Sequence, residues 1–171
     1  MCAVLSSWQG GCSRFANGDR MEITMLDKAL ITRADDFGSS HSANQAIYEV
    51  SKKGIVKNVS VMACAPYLEE AAEMLASSKD VTFGMHSVIN AEWDRVVWGP
   101  VAPKEKVKSL IDHRGVFYQD VLELAAAKPD LDEIITEYKY QLERLRKVGF
   151  PIAYIAVSYT HLRAHETDSY L

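Results

Sequence analysis

Short strand-like runs alternate with helix-like runs through the middle of the chain, and this alternation constrains the fold more than any other feature. Apolar and β-branched residues predict strands at Ala29–Thr32, Ile55–Ala63, Val81–His86 and Ile152–Ile155. Consecutive strands joined by helices favour parallel pairing with right-handed crossovers. The sequence therefore predicts an α/β fold with mostly parallel strands, either an open sheet or part of a (β/α) barrel.

Helix start and stop signals separate the predicted strands. The first helix is predicted to open at Ser42, with Gln45 completing a capping box, and to close at Gly54. Pro66 is predicted to begin the second helix, and Asp130 to cap the last one. A further helix is predicted over Phe117–Ala127. The predicted buried faces are Ala43, Ala46, Ile47 and Val50 in the first helix, and Leu131, Ile134, Ile135, Tyr138, Leu142, Leu145 and Val148 in the last.

Composition limits the class of protein. The chain has 171 residues, of which 48% are hydrophobic and 25% charged, and this is about one domain of ordinary globular composition. No apolar run approaches the ~18 residues of a membrane span. A net charge of -4 without a basic block argues against nucleic acid as a partner. Three cysteines form neither a metal-type pair nor a disulfide framework. These features predict a soluble, cytoplasmic protein.

The two ends of the chain lack the pattern of the middle. Residues 1–20 have neither helical nor strand periodicity, so they are predicted to be a disordered extension or an upstream mis-start. Val157–Thr167 reads VSYTHLRAHET and resembles translated sequencing-adapter read-through, so residues 158–171 are expected to be a non-native tail. His161 and His165 have the i, i+4 spacing of helical metal ligands. On this interpretation, neither histidine belongs to the natural protein.

Acidic and imidazole side chains stand at the ends of two predicted strands. Asp35 and Asp36 follow the first strand, and His86 ends the third. Ligand sites of parallel α/β folds lie beyond the carboxyl ends of the strands. Adjacent carboxylates favour a bound cation or a perturbed proton affinity, and Asp and His can both ligate one divalent metal. The same residues also suit a helix cap or turn and a structural hydrogen bond, so the residue types alone leave both interpretations open.

A long segment, Ser87–Arg114, exceeds an ordinary strand-to-helix connection, and such loops often carry function. Its Trp93 and Trp98 could stack on a sugar or pack the loop, and packing is the favoured interpretation. His113 is predicted to be an exposed loop residue. Cys64 is predicted to be a core thiol rather than a nucleophile.

The motifs resemble one known family. Residues 34–38 read ADDFG and residues 42–47 read SANQAI, and together they resemble the opening motif of the YdjC/ChbG-like carbohydrate deacetylases. The segments GIV at 54–56, SVM at 60–62 and GMH at 84–86 follow in that family's order. The resemblance implies that residues 21–157 are the N-terminal part of a carbohydrate deacetylase-like domain. The implied fold is a partial (β/α) barrel-like fold, truncated at the C-terminus.

The resemblance also implies residue roles. Asp36 and His86 match metal ligands for Mg²⁺ or Zn²⁺, and Asp35 matches the residue proposed as general base. The family takes its third ligand from an Asp-Ser/Gly-His-x-His stretch after the fourth strand. That stretch should fall around Ala156–Ser158, where this chain departs from the pattern. Apart from the resemblance, Trp93 of the long loop is the candidate substrate contact.

The implied function is metal-dependent hydrolysis of N-acetyl groups from sugars or oligosaccharides. Two alternatives stay open. One is an inactive fragment that binds metal or sugar weakly at most, and the other is a different α/β metallohydrolase, such as a phosphoesterase. The predicted partner is an N-acetylated sugar, without nucleic acid or membrane, and a homodimer is left open.

Overall fold

A parallel sheet forms the centre of the computed structural model, which describes residues 30–93 and 96–157. Within these residues the strands are β1 (Arg33–Phe37), β2 (Asn58–Met62), β3 (Thr82–Ser87) and β4 (Ile152–Val157). All are paired in parallel in the order β1-β2-β3-β4, so each strand lies beside its successor in the sequence. This arrangement confirms the predicted mostly parallel α/β fold of a partial barrel. The predicted head, 1–20, and tail, 158–171, lie outside the described residues.

The described residues form four α-helices, three of which pack against the sheet through an apolar core. They are α1 (His41–Lys52), α2 (Leu68–Leu75), α3 (Val121–Ala126) and α4 (Leu131–Lys147), with 3₁₀ turns at Lys104–Lys106 and Lys108–Leu110. The core joins Val61 of β2 and Phe83 of β3 to buried residues of α1, α2 and α4. A second cluster, including Trp98 and Phe117, is formed mainly by residues of the long loop. Among the described residues, no helix is long and apolar enough to cross a membrane.

The first strand lies later in the chain than the apolar pattern predicted. β1 begins at Arg33, whereas the prediction ended the strand at Thr32 and placed a loop at residues 33–36. Arg33 and Ala34 pair with Asn58 and Val59 of β2, while Leu30 is 65% exposed. Apolar density misplaced the strand because β1 carries the polar side chains of a site, and backbone pairing with β2 fixes its position instead.

The helix starts also differ from prediction. Ser40, not Ser42, caps α1, since its hydroxyl accepts a hydrogen bond of 3.1 Å from the Ala43 amide. α2 begins at Leu68, two residues after Pro66. α3 begins only at Val121, after an Asp120 cap. The predicted closure of α1 at Gly54 is confirmed, because the glycine adopts the left-handed φ of 75° typical of a helix end.

The buried face of α4 was predicted only in part. Asp130 caps the helix as predicted, and Leu145 is fully buried. Leu131 is 68% exposed, however, while Glu137 and Gln141 are fully buried. These two polar side chains occupy the buried stripe because they bond to the backbone of the long loop, a partner that helical periodicity cannot reveal. On α1, likewise, Asn44 is buried and Ala46 is exposed.

The ring of Tyr154 on β4 lies directly over Gly84 on β3. A Cβ at Gly84 would lie 2.2–2.5 Å from three ring atoms of Tyr154. We expect Gly84→Ala to destabilise the protein by about 1–3 kcal/mol, the usual cost of overpacking. The cost should shrink when Tyr154 is also alanine, and chemical denaturation of the double-mutant cycle measures this coupling. Gly99→Ala is the control, since its Cβ would meet nothing closer than 3.4 Å. Equal costs in both backgrounds would contradict the prediction.

Candidate active site at the carboxyl edge of the sheet

Three predicted site residues meet at the carboxyl ends of β1 and β3. The Nδ1 atom of His86 lies 3.5 Å from Oδ1 of Asp36 and 4.0 Å from Oδ1 of Asp35. It also lies 3.2 Å from the Ser60 hydroxyl of β2, and the imidazole is almost fully buried. The parallel register places Met62 beside His86, so neighbouring strand ends bring these groups together. The site is therefore a compact cluster of two carboxylates, a hydroxyl and an imidazole.

Asp35 is held from two sides. The hydroxyl of Ser60 donates to its Oδ1 atom. From the other side, Nε of Arg33 lies 2.8 Å from Oδ1 and Nη2 donates to Oδ2 at 3.1 Å. Burial raises the pKa of Asp35, but the hydrogen bonds from Ser60 and Arg33 and the charge of Arg33 outweigh it and hold the pKa below its usual value. Asp35 is therefore an ionised, oriented carboxylate at neutral pH.

Asp36 has the opposite electrostatic environment. Burial raises its pKa, and the charges of Asp35 and Glu92 add to that rise, whereas His86 partly opposes it. Its backbone adopts a left-handed φ of 66°, which is uncommon for a residue with a side chain. Such conformations cluster at functional sites, where the surrounding structure holds them in place. An added cation beside this carboxylate would relieve the repulsion from its acidic neighbours.

The turn after Asp36 is fixed by Asn44, a buried residue that sequence analysis missed. The amide of Gly38, at φ 100°, donates to Oδ1 of Asn44 at 2.7 Å. The Nδ2 atom of Asn44 donates to the carbonyl of Tyr67 at 3.1 Å and to Glu70 at 2.9 Å. These bonds tie the end of β1 to the start of α2. The sequence signal that could have revealed Asn44 is that an asparagine stands on the apolar face of a predicted helix.

The long loop forms the opposite wall of a small pocket that Asp36 and His86 also line. Trp98 is buried, and its indole N–H donates to the carbonyl of Asn90 at 2.8 Å. Trp93 packs edge-on against Trp98, with ring centroids 5.2 Å apart, and is only partly buried. Packing is therefore the role of Trp98, while Trp93 is a pocket-lining ring beside the acidic cluster.

Other candidates lie outside the cluster. His113 is exposed, as predicted. Cys64 is a buried free thiol, and burial raises its pKa well above the usual value, so it is a core residue rather than a nucleophile. Sequence analysis missed Ser60 and Arg33, which hold Asp35. The sequence signal that could have indicated them is a polar residue at a strand position that faces the site.

The donor set fits part of a divalent metal site. Two ligands with bonds of about 2.1 Å at a tetrahedral angle lie about 3.4 Å apart, close to the Asp36–His86 separation of 3.5 Å. Within residues 30–93 and 96–157, no group of three or more His, Cys, Asp and Glu side chains could hold a metal. Ala156 pairs with His86, so the chain leaves β4 beside the cluster, and Ser158, where the expected ligand stretch would end, is outside the described residues.

The fold and this site define an α/β protein with a polar pocket at the carboxyl edge of a parallel sheet, the usual position of a ligand site in such folds. A family model described as "YdjC-like protein" matches residues 29–165. The chain belongs to the YdjC-like family.

Similar proteins include two bacterial proteins named carbohydrate deacetylase. The one from Thermoanaerobacter pseudethanolicus is 31% identical over 138 residues, covering 81% of this chain and 52% of the relative. The one from Enterococcus faecalis is 32% identical over 127 residues, covering 73% of this chain and 46% of the relative. A crystal structure from Enterococcus faecalis V583, described as a cellobiose-phosphate cleavage protein, superposes with a TM-score of 0.66 at 28% identity. The match covers 75% of this chain and 48% of that protein's chain. The chain spans about half the length of the curated relatives it matches.

Proposed function

We propose that this chain is the N-terminal part of a metal-dependent carbohydrate deacetylase, an enzyme that hydrolyses N-acetyl groups on sugars. The observation that carries the proposal is the grouping of Asp35, Asp36 and His86 within about 4 Å at one sheet edge. The names of the two bacterial relatives support the same activity.

Asp36 and His86 would hold a divalent metal, Zn²⁺ or Mg²⁺. The separation of Asp36 from His86 supports this assignment, as do the negative charges of Asp35 and Glu92, which a cation at Asp36 would offset. A bound metal would supply Lewis acidity, polarising the acetamide carbonyl and lowering the pKa of water. Catalytic zinc sites normally have three protein ligands. In this proposal the third ligand comes from outside the described residues.

Asp35 would act as the general base. Its lowered pKa keeps it ionised, so it can accept a proton from the attacking water and then deliver it to the departing sugar amine. Ser60 and Arg33 both bond to this carboxylate and so fix its direction. A general base must be held within hydrogen-bond reach of the water it activates, and these two partners supply that constraint.

The charge of the pocket favours an uncharged acetamido sugar over a phosphoester. Among the described residues that line it, Asp36 and Glu92 carry carboxylates and none is lysine or arginine. Phosphate recognition normally uses cationic side chains or clustered backbone amides. Trp93 offers an aromatic surface next to the carboxylates, which suits the apolar face of a sugar ring.

Acetate release tests the proposal. The full-length protein to which this chain belongs is purified, stripped with a chelator, and incubated with a panel of N-acetylated mono- and disaccharides before and after Zn²⁺ or Mg²⁺ is added back. We expect acetate only after metal is restored, and we expect Asp36→Ala to abolish the release. Unchanged acetate release by Asp36→Ala would overturn the metal-ligand assignment. Acetate release that the chelator does not reduce would overturn metal dependence.

A second candidate is an inactive domain that binds metal weakly at most. The specific observation in its favour is that two metal-ligating side chains, rather than three, meet among the described residues. Isothermal titration with Zn²⁺ separates the two candidates. Stoichiometric binding that Asp36→Ala removes supports the deacetylase, whereas weak or absent binding together with no acetate release supports the inactive domain.

A further inference from the structure

Three polar side chains on one face of α4 bind the backbone of the long loop. Glu133, Glu137 and Gln141 follow each other at intervals of four residues, so they lie in one row on the helix. We call this row the α4 ladder. Glu133 binds the loop at Ser109, Glu137 binds it at Val101 and Ala102, and Gln141 binds it at Val88.

Glu137 uses both of its carboxylate oxygens. Its Oε1 atom accepts from the amide of Val101 and its Oε2 atom from the amide of Ala102, both at 2.9 Å. Oε1 also accepts from Nε2 of Gln141 at 2.8 Å. The side chain is fully buried. A buried carboxylate without such donors would cost several kcal/mol, so its position depends on the loop backbone as much as the loop depends on it.

Gln141 continues the ladder toward the site. Its Nε2 atom donates to the carbonyl of Val88 at 2.6 Å, and its Oε1 atom accepts from the amide of Val88 at 3.2 Å. Val88 is two residues beyond His86. The ladder therefore anchors the loop at Val88, where it leaves β3, and again at Val101 and Ala102.

Four described loop residues between these anchors form a wall of the pocket that Asp36 and His86 also line. Asn90, Glu92, Trp93 and Trp98 line the pocket together with Asp36 and His86. The bonds from Gln141 and Glu137 therefore hold the two ends of this wall, while the indole of Trp98 and the amide of Gln119 bond to its Asn90 and Trp93 carbonyls.

We propose that Glu137 and Gln141 are positioning residues, which fix the Trp93-bearing wall against the Asp36–His86 cluster and so set the affinity for the sugar. The sugar part of this inference rests on the proposed function, whereas the positioning of the wall does not. Neither residue lines the pocket, so both act through the loop backbone.

The decisive variant is Glu137→Gln, compared with Glu133→Gln as a matched control. An amide at position 137 must turn an NH₂ group toward a backbone N–H, because both carboxylate oxygens are acceptors. An amide at position 133 keeps its bonds, because the amide and hydroxyl of Ser109 both donate to the same oxygen, Oε2. The two variants make the same chemical change on the same helix, but only Glu137→Gln disrupts the anchor.

The full chain is labelled with 5-fluorotryptophan, and the ¹⁹F signal of Trp93 is assigned with Trp93→Phe. We expect Glu137→Gln to shift or broaden that signal and to accelerate hydrogen exchange at Val101 and Ala102. We also expect it to raise KM for the acetylated sugar about tenfold or more, with kcat changed less than about threefold. Glu133→Gln should leave all of these values close to those of the parent protein.

Two results would overturn the proposal. One is a folded Glu137→Gln protein whose Trp93 signal and amide exchange match those of Glu133→Gln. The other is a Glu137→Gln protein that has an unchanged KM but a lower thermal stability, which would show that Glu137 has only a structural role. If no variant, nor the parent, releases acetate, the proposed function fails, while the ¹⁹F and exchange results still decide whether the ladder positions the wall.

Discussion

Asp35→Asn is expected to slow acetate release about a thousandfold, within the range that general acid–base groups contribute. The asparagine retains the size of the side chain but loses the charge that accepts a proton from water. Zn²⁺ affinity should change far less than in Asp36→Ala, because Asp35 acts on the proton rather than the metal in the proposed mechanism. Initial rates of acetate release, with Zn²⁺ titrations of the same preparations, measure both effects.

The control for this prediction is Asp132→Asn. Asp132 is exposed in the first turn of α4, on a different element from the cluster. The same chemical change there should leave the rate within about twofold, since surface substitutions away from special features have small effects. A rate for Asp35→Asn equal to that of Asp132→Asn would remove Asp35 from the role of general base.

Phe150→Ala is expected to lower the free energy of unfolding by about 3–5 kcal/mol, the usual cost of deleting a buried phenylalanine ring. Phe150 is 2% exposed and packs against Phe83 and Phe37, with centroid distances of 5.1 and 6.2 Å. Because domains of this kind are stable by only about 5–15 kcal/mol, this loss should lower the thermal midpoint strongly. Urea or thermal denaturation followed by circular dichroism measures it.

Leu122→Ala is the matched control for that loss. Leu122 is 77% exposed, so its truncation should change stability by no more than about 0.5 kcal/mol. The loss of stability in Phe150→Leu should fall between those of Phe150→Ala and Leu122→Ala, since leucine refills part of the space. Similar losses for Phe150→Ala and Leu122→Ala would show that the aromatic cluster does not stabilise the core.

Strands and helices that bury ordinary apolar patterns were predictable from the sequence. β3 and β4 lie close to where β-branched and aromatic runs placed them, and the Asp130 cap of α4 is confirmed. Prediction failed where polar groups carry a role. β1 was displaced because it bears Arg33 and Asp35, and the polarity that made it resemble a loop is what the site requires.

The candidate site was predictable as residue types at strand ends, but not as an electrostatic arrangement. The alternation of strands and helices is enough to place Asp35, Asp36 and His86 at one edge of the sheet. The opposite pKa directions of the two aspartates depend on Ser60, Arg33 and Glu92. Ser60 comes from another strand and Glu92 from the long loop, so nothing in the local sequence around the aspartates indicates them, whereas Arg33 lies two residues before Asp35 on the same strand.

The sequence by itself determined the parallel α/β fold, the resemblance to the YdjC-like family and the edge at which the acidic and imidazole groups gather. These properties follow from periodicity and from short motifs, which are local. Only the tertiary structure decided that Glu137 and Gln141 are buried and that they hold the loop wall opposite Asp36. The physical reason is that a buried polar group is stable only with its hydrogen-bond partners, and here those partners lie about 35 to 53 residues away in the chain.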